Sequence, residues 1–130
     1  MGRIAVDTSF LIDFERARKS RDLQIQSFLE ANQENEFCLS ITALGEFAAG
    51  FESLREEAYL RVRRSYFLLD HDEIVAWKYR EIFRNLKSKG SLIGANDLWI
   101  AATALRHEMP LVTRNVREFS RISSLQVLSY

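Results

Sequence analysis

Short apolar runs alternating with longer helical patterns constrain this chain more than any other feature. Arg3–Val6, Phe37–Ser40, Tyr66–Leu69, Leu111–Thr113 and Leu125–Leu128 read as strands. Between them, Ser9 to about Arg18, Asp22–Ala31, Thr42 to about Phe51, Leu54–Arg64, Asp72–Lys89 and Asn96–Arg106 carry apolar residues at helical spacing. A single turn of helix is expected at Val116–Phe119. Lys87 and Lys89 before Gly90 mark where the longest helix stops. A helix between successive strands implies crossover connections. The expected fold is therefore α/β, with a central, mainly parallel sheet of four to five short strands. Helices on both faces make it a three-layer α/β/α arrangement. The 130 residues, 47% hydrophobic, suffice for one domain with a real core, expected to span residues 1–130.

The rest of the composition narrows the classes. No stretch approaches the roughly 20 apolar residues of a membrane span. The N-terminal residues read as a strand and lack the apolar run of a secretory signal. A cytoplasmic location with no membrane contact is expected. One cysteine, Cys38, excludes an intrachain disulfide and a Cys-rich zinc site, and its apolar neighbours Phe37 and Leu39 point to an inert, buried thiol. The formal net charge is zero, which argues against tight non-specific nucleic-acid binding driven by counterion release, while leaving room for a local basic patch.

In open parallel sheets, ligands bind beyond the carboxyl ends of the strands. Acidic residues gather there. Asp7 closes the first strand, Glu46 lies on the helix after the second, and Asp97 opens the helix before the fourth. Asn115 follows the fourth strand, with Glu118 one helical turn later. Converging carboxylates raise one another's pKa unless a cation neutralises them. With no His or Cys among them, they offer hard oxygen ligands that suit Mg²⁺ or Mn²⁺. The chemistry that follows is hydrolysis of a phosphodiester by metal-activated water. Each residue also has a structural alternative at this stage. Asp7 can cap the next helix, and Asp97 can answer a helix dipole. Glu46, among Leu44, Phe47 and Ala48, reads as facing the core and so needing a partner or a metal.

Taken together, four segments resemble the PIN-domain family, and within it the VapC toxins of VapBC toxin–antitoxin pairs. They are Ile4-Ala5-Val6-Asp7-Thr8-Ser9, Leu39-Ser40-Ile41-Thr42 leading to Glu46 and Gly50, Gly94-Ala95-Asn96-Asp97 with Leu98 and Trp99, and Leu111-Val112-Thr113-Arg114-Asn115 running on to Ile122. They occur in the family's order across nearly the whole chain. The resemblance implies a Mg²⁺-dependent endoribonuclease (Mn²⁺ being the other metal) with Asp7, Glu46 and Asp97 as catalytic metal ligands. It also implies that Thr113 and one of Thr8 or Ser9 support these acids by hydrogen bonds. Asn115 stands where many PIN domains have a fourth acid, which puts a second metal in question and makes Glu118 a possible substitute. A cognate VapB-like antitoxin, a homodimer, and contact with promoter DNA only through the antitoxin are further implications.

For RNA contacts, Arg114, Arg117 and Arg121 are favoured because Arg114 adjoins Asn115. A second cluster, Arg61, Arg63 and Arg64, and the pair Lys87 and Lys89 are weaker alternatives. Trp99 lies inside an apolar helix and reads as core, not as a base-stacking platform. Phe10, Phe14, Leu23, Phe28, Phe47, Phe51 and Leu54 offer apolar helix surface for the core or for a partner. Competing readings are a housekeeping RNA-processing nuclease without an antitoxin, a non-catalytic interaction module, and a response-regulator-like domain using Asp70 after the third strand. Intact Asp7, Glu46 and Asp97 argue against a non-catalytic module. Relief of carboxylate repulsion leads to the expectation that Asp7→Asn leaves the fold intact or slightly stabilised.

Overall fold

The computed structural model describes residues 2–18 and 22–130. The elements run β1 (Arg3–Val6), α1 (Thr8–Ala17), α2 (Leu23–Ala31), β2 (Glu36–Ser40), α3 (Ile41–Ala48), α4 (Glu57–Ser65), β3 (Phe67–Leu69), α5 (Glu73–Ser88), α6 (Ala95–Arg106), β4 (Leu111–Val112), α7 (Val116–Phe119) and β5 (Val127–Leu128). The five strands form one sheet in the order β3-β2-β1-β4-β5, and all four pairings are parallel. Helices flank it, as the alternating pattern predicts.

Local chemistry sets the boundaries. Asp22 accepts from the backbone N–H of Gln24 and Ile25 at the start of α2, Ser40 from Ala43 at the start of α3, and Asp72 from Val75 at the start of α5. Gly90, with φ 64°, ends α5 in a left-handed turn. Ser91 N–H then reaches back to the Leu86 carbonyl and Gly90 N–H to that of Lys87. Several ends differ from expectation. Helix α4 starts at Glu57, not Leu54, because the Glu56 carboxylate accepts from the backbone of Glu52 and Ser53 and holds that stretch as a turn. Helix α3 stops at Ala48, where Gly50 and Phe51 bond to the Phe47 and Ala48 carbonyls in tighter turns. Strand β5 is limited to Val127–Leu128, and Leu125 is instead buried in the preceding turn.

The core lies on both sides of the central strands. Val6, Leu39, Leu111 and Val112 are fully enclosed, as are Phe10 and Leu11 of α1 and Phe119 of α7. Cys38 is buried, and burial pushes its thiol pKa up, consistent with an inert side chain. Trp99 packs against the core, its ring stacked between Tyr79 at 4.2 Å and His71 at 5.0 Å, which fits its reading as a packing residue. No helix among the described residues is long and apolar enough to cross a membrane.

Strand order fixes where a site can lie. The chain winds outward from β1 through β2 to β3, then returns to the other side of β1 for β4 and β5. That reversal opens a crevice at the carboxyl ends of β1 and β4. Asp70, by contrast, follows the edge strand β3 and lies outside the crevice, which removes the response-regulator reading.

Candidate active site

Asp7 sits in this crevice as a direct consequence of register. Val6 of β1 pairs with Val112 of β4, so the next residues, Asp7 and Thr113, are neighbours. Asp7 N–H bonds to the Val112 carbonyl at 3.0 Å. The Asp7 side chain is 5% exposed, and its oxygens accept three side-chain or backbone bonds besides. Thr8 N–H donates to Oδ1 at 2.6 Å, Ser9 Oγ to Oδ2 at 2.9 Å, and Thr113 Oγ1 to Oδ2 at 2.6 Å. Thr113 is fully buried, and its hydroxyl also accepts from Asn115 N–H at 2.9 Å. Asp7 is therefore both the N-cap of α1 and a carboxylate fixed at the site. Asn in its place keeps one acceptor oxygen but turns the other into a donor facing donors, a cost that opposes the relief of carboxylate repulsion on which the expectation of an intact or slightly stabilised Asp7→Asn fold rests.

Helix α3 begins beside Asp7, because Leu39 of β2 also pairs with Val6. It buries Ala43, Leu44 and Phe47 and leaves Glu46 exposed. Glu46 thus does not face the core, contrary to the sequence reading. It points to the crevice, where Thr8 Oγ1 donates to Oε1 at 2.7 Å and Asn96 Nδ2 approaches Oε2 at 3.4 Å. Asp97, the third residue of α6, completes the group. Its pKa is raised from the ordinary 3.8 to about 6, first by burial and then by the negative charges of Asp7, Glu46 and Glu118. That shift combines partial burial with the charges of neighbouring acids that nothing neutralises.

Asn115 Nδ2 donates to Glu118 Oε2 at 2.9 Å, so the two residues between which the sequence left the fourth position open form one pair. Both Thr8 and Ser9 serve as supports, one holding Glu46 and the other Asp7. The acids line a cleft of about 430 Å³ with Arg114 and Asn115 at its rim. Among the described residues, no three His, Cys, Asp or Glu side chains converge closely enough to enclose a metal ion by themselves.

Of the three favoured arginines, only Arg114 reaches this cleft. Arg117 is exposed outside it, and Arg121 donates to the Leu92 carbonyl at 3.2 Å. Arg61 is paired with Glu15 at 2.7 Å, and Lys87 lies over the Phe83 ring. Three residues near the site escaped the sequence reading of function: Asn96, Asp13 and Tyr130. Asp13 lies one helical turn after Ser9, a weak signal. Nothing in the sequence tied Tyr130 to it.

The PIN domain family profile matches residues 4–125. Ribonuclease VapC1 of Methanocaldococcus jannaschii is 31% identical over 98% of this chain and 87% of its own length. The solved structure of VapBC2 from Rickettsia felis, bound to a DNA fragment from its promoter, superposes with a TM-score of 0.81 at 26% identity, covering 98% of both chains. VapBC-1 from nontypeable Haemophilus influenzae superposes with a TM-score of 0.80 at 30% identity, over 98% of this chain and 97% of that one. With its parallel sheet, its acids at the crevice and a matched profile over almost its whole length, the chain belongs to the PIN-domain family and, within it, to the VapC group.

Proposed function

We propose that this chain is a divalent-metal-dependent endoribonuclease acting as the toxin of a VapBC-like pair. The observation that carries the reading is the crowding of Asp7, Glu46 and Asp97 at the crevice, where burial and then the charges of Asp7, Glu46 and Glu118 raise the Asp97 pKa to about 6. A similar VapC protein is named a ribonuclease, and the similar solved structures are VapBC complexes, one on promoter DNA, which supports both the activity and a VapB-like antitoxin as partner.

The donor set fits a hard cation. Every candidate ligand is a carboxylate or amide oxygen, and a dication offsets the repulsion that raises Asp97. Mg²⁺ keeps several waters and is often held through one or two carboxylates. It therefore suits acids that do not close around a point on their own, and Mn²⁺ suits the same oxygens. Asp7, Glu46 and Asp97 are the residues that would hold it, with Asn115 and Glu118 beside them. Bound there, the metal supplies an activated water and stabilises charge on the phosphate oxygens.

The chain's own side chains do the rest. Ser9 and Thr113 fix the Asp7 carboxylate, and Thr8 fixes Glu46. Arg114 meets an RNA phosphate at the rim of an otherwise acidic cleft. Pairing with a second copy of the chain finds support in Ile74 and Trp77, 47% and 56% exposed one turn apart on α5. Action in the cytoplasm, on RNA, follows from the same reading, with promoter DNA met only through the antitoxin.

The test is induced expression of the wild type and of Asp97→Asn in bacteria, with growth scored and new RNA ends sequenced. Growth arrest with discrete cuts in the wild type alone supports the toxin. Discrete cuts without arrest point to a processing enzyme. Harmless expression of both without new ends removes the nuclease reading.

A further inference from the structure

One hydrogen-bonded chain leads away from the acidic cleft through Arg114 to Asp13 and Tyr130, two residues with no role assigned so far. Arg114 Nη1 donates to both oxygens of Asp13, at 3.0 and 3.1 Å. Tyr130 Oη donates to Asp13 Oδ2 at 2.5 Å. Burial, then the bond to Asp13, holds the phenol pKa above its ordinary value, so Tyr130 stays an O–H donor. The Tyr130 ring is itself fixed, packing edge-on to Phe10 at 5.1 Å. At the other end, Arg114 N–H donates to Ser9 Oγ at 3.1 Å, which ties its backbone to the residue that holds Asp7.

The Arg114 side chain is 64% exposed, whereas Asp13 is 18% exposed. An exposed surface ion pair contributes little to stability because holding long side chains still costs entropy. Here Asp13 is already held by Tyr130, so the ordering cost that remains is that of the Arg114 side chain. A guanidinium is a rigid planar fork, so anchoring Nη1 on both oxygens of a held carboxylate restricts where the rest of the group can swing. Nε and Nη2 make no hydrogen bond among the described residues and are available to an oxyanion.

We propose that Asp13 and Tyr130 are positioning residues that hold the Arg114 guanidinium at the rim of the cleft to receive an RNA phosphate, a role that rests on the nuclease reading. Arg114 touches the substrate. Asp13 and Tyr130 act only through it. Their effect is on phosphate capture, because pre-setting the fork removes part of the ordering that binding otherwise requires.

Two measurements test this. In the ligand-free protein, nitrogen-15 NMR reads rotation and proton exchange of the Arg114 guanidinium. Both are slow in the wild type and faster in Tyr130→Phe, which keeps the ring against Phe10, and in Asp13→Asn. The second measurement is fluorescence anisotropy of a labelled single-stranded RNA oligonucleotide with Mg²⁺, all variants carrying Asp97→Asn to prevent cleavage. Tyr130→Phe weakens binding by about threefold and Arg114→Ala by about tenfold, in line with partial and full loss of one charged contact. In the Arg114→Ala background, Tyr130→Phe has no further effect, an interaction that general damage to the fold does not reproduce. An unchanged guanidinium signal with unchanged affinity in Tyr130→Phe overturns the positioning role alone. The same penalty with and without Arg114 also overturns it alone. Absence of RNA binding by the parent overturns it together with the nuclease reading.

Discussion

Replacing Asp97 by Asn should stabilise the metal-free protein while abolishing its activity. The free carboxyl has an ordinary pKa of 3.8, raised to about 6 in the fold by burial and by Asp7, Glu46 and Glu118. Above pH 6 the fold carries an ionised Asp97 that its surroundings disfavour. The difference between 3.8 and about 6, at roughly 1.36 kcal/mol per pH unit, is about 3 kcal/mol. Asp97 is only half-buried, so solvent screening reduces this to about 1.5 kcal/mol. The first turn of α6 favours a negative charge by about 0.5 kcal/mol, which Asn forgoes. The net gain is about 1 kcal/mol at pH 7.5, or roughly 3–5 °C in Tm for a chain of this size. The sign with pH follows from the raised value. Between about 4 and 6 the folded state binds a proton that the unfolded state has released, so wild-type stability falls as pH rises through that window and levels off above it. Urea unfolding in EDTA, wild type against Asp97→Asn, from pH 4 to 8, reads both effects. A variant no more stable than wild type at pH 7.5, or one that keeps the wild-type slope between pH 4 and 6 in full, refutes the electrostatic account of the site. Added Mg²⁺ or Mn²⁺ should reverse the order, stabilising the wild type by mass action and the variant far less.

Thr113→Val should cost about 1–3 kcal/mol, because it strips a 2.6 Å bond from buried Asp7 and leaves Asn115 N–H without its acceptor. Thr113→Ser should recover most of that loss in a thermal melt. Asp7→Asn should destabilise by a similar amount, since an amide places a donor among groups that Asp7 now serves as acceptor. A Tm equal to or above wild type contradicts this. Glu46→Gln should leave stability within about 0.5 kcal/mol, because Glu46 is exposed and its bond from Thr8 survives on the amide oxygen, while metal-dependent cleavage is lost. Retained cleavage in that variant removes Glu46 from the metal ligands.

The periodicity of the apolar runs reveals the fold class because the central strands are buried on both faces and each crossover helix needs its own apolar stripe. Element ends were less legible. The turn before α4 depends on the Glu56 carboxylate reaching back to two backbone amides, a choice that a run of charged residues does not announce. Asp7 and Asp97 are visible in sequence because both lie at element boundaries facing the crevice. The apolar neighbours of Glu46 suggest burial, whereas α3 turns it outward, because sequence spacing shows its place along the helix but not which face it takes. Among the arginines, nearness in sequence to Asn115 singled out three. Helix α7 then carries Arg117 and the turn after it carries Arg121 away from the cleft, leaving Arg114 alone at its rim. Asp13 and Tyr130 meet across more than a hundred residues, and single-sequence patterns carry no such pairing.

The most direct test of the central claim is cleavage of labelled RNA by the purified chain with Mg²⁺, with Mn²⁺ and with EDTA, the new ends being identified chemically. Attack by metal-activated water leaves a linear terminal phosphate and a free hydroxyl at discrete positions, with no cyclic phosphate. The account predicts those ends with either metal in the wild type, and none in EDTA or with Asp97→Asn. Cleavage that persists in EDTA, or that leaves 2′,3′-cyclic phosphates formed by the RNA's own 2′-hydroxyl, contradicts it.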